Sequence, residues 1–218
     1  MKAAARSNGN GLIAGTIIAP AKAAQNGKLA LPTFFREPAL DLWKQGDAKV
    51  MADIEALNKF CEAAMHEAIA EAQKGIKARR RPFGAVIVAP SGEVIGRGHN
   101  TMNRKATSGK YAEENAFESA LSALGKRGRK AKDLEGCALA CTCEPTLQDM
   151  WRAHQLKISL VVFGATADDA LRAGFIKPEA PPYIASEIFE NIARKGWVLR
   201  DECATMMHGW KEKRKGRK

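Results

Sequence analysis

The sequence predicts a three-layer α/β/α sandwich on a central mixed five-stranded sheet. Apolar residues recur at helical spacing from Met51 to Ala78. Two short runs separated by Ser91-Gly92 read as a hairpin. Beyond the hairpin, helical and β-branched segments alternate, the order that crossover connections produce.

The long helix is read from Ile54, Leu57, Phe60, Cys61, Ala64, Met65, Ala68, Ile69 and Ala72, which share one face. Its last turn is rich in Lys and Arg, which suits the negative end of the helix dipole. Pro82 resets the chain. Residues 83–88 read as a buried strand and 93–98 as its return strand. A polar loop, 100–110, leads to a helix over 112–124. Residues 137–143 form a third strand, on which Cys137, Leu139, Cys141 and Cys143 alternate and should share one face. Glu144-Pro145 opens a helix, since proline suits a first helical position. Residues 158–163 form a fourth strand, followed by a weaker helix or strand, and 178–182 is a connector. Residues 186–195 look helical, 197–200 is the short fifth extended segment, and a last helix starts near Glu202.

Composition agrees with a soluble globular protein: 45% hydrophobic and 27% charged residues over 218 positions. That length suits one domain with an extension. Residues 51–210 make the domain, 1–50 an N-terminal extension with a short helix near Pro38–Gln45, and 211–218 a basic tail. No run reaches the ~18–20 apolar residues that span a bilayer. The net charge of +11 is concentrated in three runs: four basic residues in five at 77–81, five in seven at 126–132, and six in the last eight. Such runs attract phosphate backbones, or serve only as solvated loops and tail. Aromatics are 6% of the chain and do not interleave with the tail, which argues against a base-stacking platform there. Lys2 and Arg6 before the apolar stretch 11–19, with Ala21-Lys22-Ala23, outline a secretory signal; Gly15 and Thr16 dilute it, and a disordered extension fits equally. The expected location is cytoplasmic, or periplasmic or secreted if residues 1–24 are a signal peptide. Five cysteines without a C-x-x-C pair point to buried, inert thiols rather than a disulfide framework.

Four segments in order carry a family resemblance: PFGAVIV (82–88), GEVIGRGHN (92–100), YAEENA (111–116) and TCEPTLQDMWRAHQLKISLVVFGAT (142–166). Together they resemble the cytidine deaminase-like superfamily, in the branch of guanine deaminases and bacterial tRNA adenosine deaminases. The resemblance implies a zinc ion held by a His from H-x-E and two Cys from P-C-x-x-C, with the Glu shuttling protons. Here the His position is Tyr111 and the two Cys positions are Thr146 and Asp149, while the Glu position is Glu113. Phenol and alcohol oxygens stay protonated at neutral pH, and one carboxylate holds zinc weakly. No metal is therefore expected, although zinc is the family's cofactor. Tyr111, Thr146 and Asp149 are expected to converge and satisfy one another by hydrogen bonds. A rearranged metal site using Cys143, Asp149 and Glu113 is a minor alternative.

The resemblance further implies that Asn100 hydrogen-bonds a base or ribose, with Phe83 and Trp151 as further substrate-binding candidates. Each has a purely structural reading too. Asn100 caps a turn, Glu113 favours its helix's first turn, Phe83 packs in the core, and Trp151 lines a dimer interface. The leading expectation is a catalytically silent deaminase-fold protein that binds a base-like small molecule or pairs as a homodimer, or as a heterodimer with a related deaminase. The alternatives are an active deaminase or hydrolase acting on guanine, cytosine or tRNA adenosine through an altered site, and an RNA-binding protein using the basic tail and loops.

Overall fold

The computed structural model describes residues 48–102, 109–126, 133–175 and 192–215. Among them the elements run α1 (Ala48–Lys77), β1 (Gly84–Val88), β2 (Val94–His99), α2 (Ala112–Lys126), β3 (Ala138–Cys143), α3 (Leu147–Gln155), β4 (Leu160–Ala165), α4 (Ala167–Arg172), β5 (Ala193–Lys195) and α5 (Arg200–Lys215). The five strands form one sheet in the order β2-β1-β3-β4-β5. β1 is antiparallel to β2 and β3, whereas β3, β4 and β5 are parallel. This is the mixed five-stranded α/β/α architecture that the sequence predicts.

Strand alternation divides the core into two layers. Val86, Val88, Ala138, Ala140, Leu160 and Val162 face α1, α4 and α5. Ala85, Ile87, Leu139, Cys141 and Val161 face α2 and α3. The shared-face expectation for the cysteines holds for Cys137 and Cys141, but Cys143 sits in the α1/α5 layer. The alternation breaks at the strand end, where the chain turns toward α3.

Two glycines let the helices lie directly on strand backbone. A Cβ at Gly84 would stand 2.2 Å from the Ala68 carbonyl oxygen of α1, and one at Gly98 would stand 2.2 Å from that of Ala112 in α2. No side chain fits at either place.

Three boundaries differ from expectation. Pro145 lies outside α3, which starts at Leu147 with Thr146 as its N-cap. The capping side chain, rather than the proline, opens the helix. The fifth strand is Ala193–Lys195, not 197–200, and the last helix begins at Arg200. Val198 lies between two residues of left-handed backbone, Trp197 at φ 64° and Leu199 at φ 50°, which make a turn and not a strand. The helix expected over 186–195 is replaced by strand at its last three residues, and 186–191 lie outside the described residues. The segment after β4 resolves as helix α4. The extension at 1–47, the connector at 178–182, the end of the tail at 216–218 and most of the 126–132 basic run also lie outside the described residues. No helix among the described residues is long and apolar enough to cross a membrane.

Candidate functional site

Asn100, Glu113 and the Thr146–Asp149 pair occupy the ends of β2, α2 and α3. The Asn100 N–H donates to the Phe83 carbonyl at 3.0 Å, which closes the hairpin end. Asn100 is fully buried. Its Oδ1 accepts from the Met102 N–H at 3.0 Å, so the turn-capping reading is met. Its Nδ2, also buried, has no hydrogen-bond partner among the described residues. A buried amide donor left unpaired costs roughly 1–3 kcal/mol and asks for an acceptor. One side of Asn100 builds the turn, and the other is an open donor.

Glu113 lies in the first turn of α2 and is buried. Removal from water pushes its carboxyl up to about 8, and the neighbouring charge of Asp149 pushes the same way; a backbone N–H partly offsets both. At pH 7 Glu113 is therefore mainly a neutral acid, able to donate as well as accept.

Thr146 and Asp149 form a capping box at the start of α3. The Thr146 hydroxyl donates to Asp149 Oδ2 at 2.6 Å, and the Thr146 N–H donates to the same oxygen at 3.0 Å. The Asp149 N–H donates to Thr146 Oγ1 at 3.3 Å. Burial raises the Asp149 carboxyl above its ordinary range, and the Thr146 bonds work against that rise.

Tyr111 does not join them. It is 42% exposed, and no hydrogen bond links it to Thr146 or Asp149. The three-way network expected of Tyr111, Thr146 and Asp149 is thus a two-way one, because the capping box turns Thr146 and Asp149 toward each other. Phe83 is half-buried and meets Phe175 edge-on, centroids 5.0 Å apart. That matches its core-packing reading. Trp151 is 47% exposed and lies over His154 at 6.0 Å. Leu147, one turn earlier on the same helix, and Tyr111 are exposed as well.

The donor set does not fit zinc. Of the three positions that the family resemblance pairs with zinc, Tyr111 is exposed, and Thr146 and Asp149 cap a helix. Burial pushes the Cys143 thiol far above its usual range, and the same cause leads at Cys141. Neither is a ready thiolate ligand. Among the described residues no group of three or more His, Cys, Asp or Glu is arranged to hold a metal ion, the Cys143–Asp149–Glu113 combination included.

Supporting residues escaped the sequence reading. Asn115 Nδ2 donates to the His99 carbonyl at 2.9 Å and to Thr101 Oγ1 at 3.2 Å, tying α2 to the chain around Asn100. Buried Thr142 accepts from the Gly84 N–H at 3.1 Å, tying β3 to β1 beside the site. Glu144 Oε2 accepts from the Ala167 N–H at 3.0 Å and so caps α4. The i+2 spacing from Glu113 to Asn115 was visible, but its bonding partners lie 14 and 16 residues away.

Comparison with known proteins agrees with this geometry. The family model described as the cytidine and deoxycytidylate deaminase zinc-binding region matches residues 58–165. The guanine deaminase of Bacillus subtilis is 31% identical over 115 residues, which cover 52% of this chain and 70% of that protein. A tRNA(Ile)-lysidine synthase of Deinococcus deserti is 30% identical over 58% of this chain, but the match spans only 22% of that protein. The tRNA-specific adenosine deaminase 2 of Xenopus tropicalis is 32% identical over 46% of this chain and 59% of its own length. Among solved structures, the guanine deaminase from Nitrosomonas europaea superposes with a TM-score of 0.58 at 23% identity, covering 69% of this chain and 84% of that one. A point mutant of the protein NE0047 in complex with 8-azaguanine superposes at 0.59, also at 23% identity, covering 70% and 84%. By sequence and by fold, the chain belongs to the cytidine and deoxycytidylate deaminase family.

Proposed function

We propose that this chain is a metal-free member of its family that binds a base-like small molecule and does not carry out zinc-dependent hydrolytic deamination. The observation that carries the reading is the Thr146–Asp149 capping box, which commits two of the three former ligand positions to holding a helix end. The unpaired Nδ2 of Asn100 supports ligand binding, as does the 8-azaguanine held by a structural neighbour.

The chemistry follows from Glu113. In the family, zinc would supply a water acidic enough to attack at neutral pH. Ordinary water, with a pKa of about 15.7, yields a proton to a carboxylate of pKa about 8 only against a gap of roughly eight powers of ten. At pH 7 most of that carboxyl is already protonated. What remains is recognition: Asn100 Nδ2 donates to a ring acceptor, while the neutral Glu113 carboxyl both donates and accepts. The exposed apolar side chains of Leu147 and Trp151, one turn apart on α3, support pairing with a second deaminase-fold chain.

Elemental analysis together with an ammonia-release panel on guanine, cytosine, adenine and their nucleosides tests the reading. The expected result is no stoichiometric zinc and no turnover, with at least one base raising the melting temperature and Asn100→Ala abolishing that shift. Tightly held zinc or steady ammonia release overturns it. In the triple variant Tyr111→His, Thr146→Cys, Asp149→Cys, zinc uptake would show that the scaffold can still assemble the family's ligand set, and no uptake would show that the geometry has drifted from it.

A further inference from the structure

Two basic runs that are far apart in sequence meet at the pocket end of the sheet. The first is Lys77, Arg79, Arg80 and Arg81; three of these are exposed and Arg81 is half-buried. Lys74 and Lys77, in the last turn of α1, suit the negative end of the helix dipole, and Lys74 pairs with Glu71. The three arginines lie beyond the helix, where the dipole does not account for them. Among the described residues none of the three side chains has a hydrogen bond or ion pair. The Arg80 N–H donates to the Gly75 carbonyl at 2.8 Å and the Arg79 N–H to the Ile76 carbonyl at 2.9 Å, the paired bonds of a Schellman turn. That turn holds Arg79 at φ 62°, where glycine is the usual residue. An arginine is kept there against a backbone preference.

An aromatic chain joins this loop to α5. Phe83, two residues after Arg81, meets Phe175 at 5.0 Å, and Phe175 meets Trp210 at 5.4 Å. Lys211 Nζ stands 4.8 Å above the Phe175 ring and donates to the Gly174 carbonyl at 2.6 Å. From there α5 continues to Lys215. The Phe83 carbonyl accepts the Asn100 N–H at 3.0 Å, which places the junction beside the pocket.

We propose that the Arg79–Arg81 loop and the end of α5 form one surface that binds the phosphate backbone of a nucleic acid strand.

The chemistry selects this partner. The guanidinium fork matches phosphate oxygens two at a time. Lys77, the three arginines and Lys211 are spread over two chain segments, and a single phosphate monoester carries at most about two negative charges. A run of phosphates matches such a surface better. A membrane partner would need apolar side chains to insert among the cations. The large apolar residues exposed among the described ones are Tyr111, Leu147, Trp151 and Trp197, and none is in either segment.

The test measures binding of the full chain to a short fluorescently labelled RNA as salt is raised. Each phosphate contacted on a single strand contributes about −0.7 to the slope of log affinity against log salt. Arg79→Gly/Arg80→Ala/Arg81→Ala should flatten that slope by about 2 and weaken binding whatever the sequence. Adding Lys211→Ala should flatten it further. The equal-charge control, Arg127→Ala/Arg129→Ala/Lys130→Ala in the run between α2 and β3, should keep the parent slope. Arg79→Gly alone should weaken binding yet raise the melting temperature, because glycine suits the left-handed turn. A merely structural role for Arg79 predicts no such split. The proposal is overturned if the parent shows no salt-dependent RNA binding, or if the loop variant, folded by circular dichroism, keeps the parent slope. It is equally overturned if the control loses as much as the loop variant, or if a nucleoside monophosphate or anionic vesicles displace the RNA as well as unlabelled strand does at equal phosphate concentration. None of these readouts needs a base in the pocket, so the nucleobase reading stands or falls separately.

Discussion

Helices α3 and α4 begin with the same device and carry opposite electrostatics. Each opens on Thr-x-x-Asp, with threonine as N-cap and aspartate at N3. The threonine N–H meets Oδ2 at 3.0 Å in one and 2.9 Å in the other, and the hydroxyl meets it at 2.6 and 2.9 Å. Both aspartates are buried. The difference is one residue. Arg200 grips Asp169 with two bonds, Nε at 2.8 Å and Nη2 at 2.7 Å. Asp149 has no such cation among the described residues and faces Glu113 instead. Arg200 holds Asp169 well below the usual carboxylate range, while burial lifts Asp149 above it. A capping box alone thus leaves a buried carboxylate uncompensated, and an arginine turns the same box into a closed structural node.

Substitution at the two aspartates separates these roles. Asp169→Ala is expected to cost about 2 kcal/mol, from the lost cap and the two lost bonds to Arg200. Asp149→Ala should cost about 1 kcal/mol or less, because the lost cap is offset by relief of Glu113. Urea unfolding at pH 7 measures both, and equal costs would break the comparison. The Asp169 contribution is present above the unfolded value of about 3.9 and fades as pH falls toward its depressed folded value, so the two variants should converge in acid.

Glu113 gives the opposite pH signature. Its folded value of about 8 lies above the unfolded value of about 4.3. Between those limits the folded state holds the extra proton, and stability falls as pH rises. Glu113→Gln should remove that slope and stabilise the protein by on the order of 1–3 kcal/mol at pH 8.5. A parent whose melting temperature is flat from pH 5 to 8.5 would contradict this.

The paired cap deletions are expected to be as small as the Asp149→Ala effect. Thr146→Ala and Thr166→Ala should each cost about 1 kcal/mol. Thr166→Ala should cost slightly less, since Arg200 still holds Asp169 in place. Thermal unfolding of the two variants ranks them.

Much of this frame was legible in the sequence, for stateable reasons. The buried runs at 84–88, 138–143 and 160–165 carry enough small and β-branched residues to read as strands. The motif order then positions Asn100, Glu113, Thr146 and Asp149. β5 was misplaced because three residues, two of them Arg194 and Lys195, present no alternation to read. Tyr111 was aimed inward by its motif position, although a residue just before a helix has no periodicity to fix its direction. Thr146-x-x-Asp149 does carry a capping signature in plain sequence. Its match to a metal-ligand spacing hid the simpler use. The bonds of Asn115, Glu144 and Arg200 join residues 14 to 31 positions apart, which no local pattern encodes.

The glycine contact at residue 98 fixes more than a packing distance. A main chain resting on a main chain sets the gap between β2 and α2 to one value, whatever the surrounding side chains become. Asn100 lies two residues beyond that contact, and Glu113 immediately follows Ala112. The two are therefore held on a ruler made of backbone. Side chains mounted in this way can be exchanged one at a time while the spacing of their backbones stays the same.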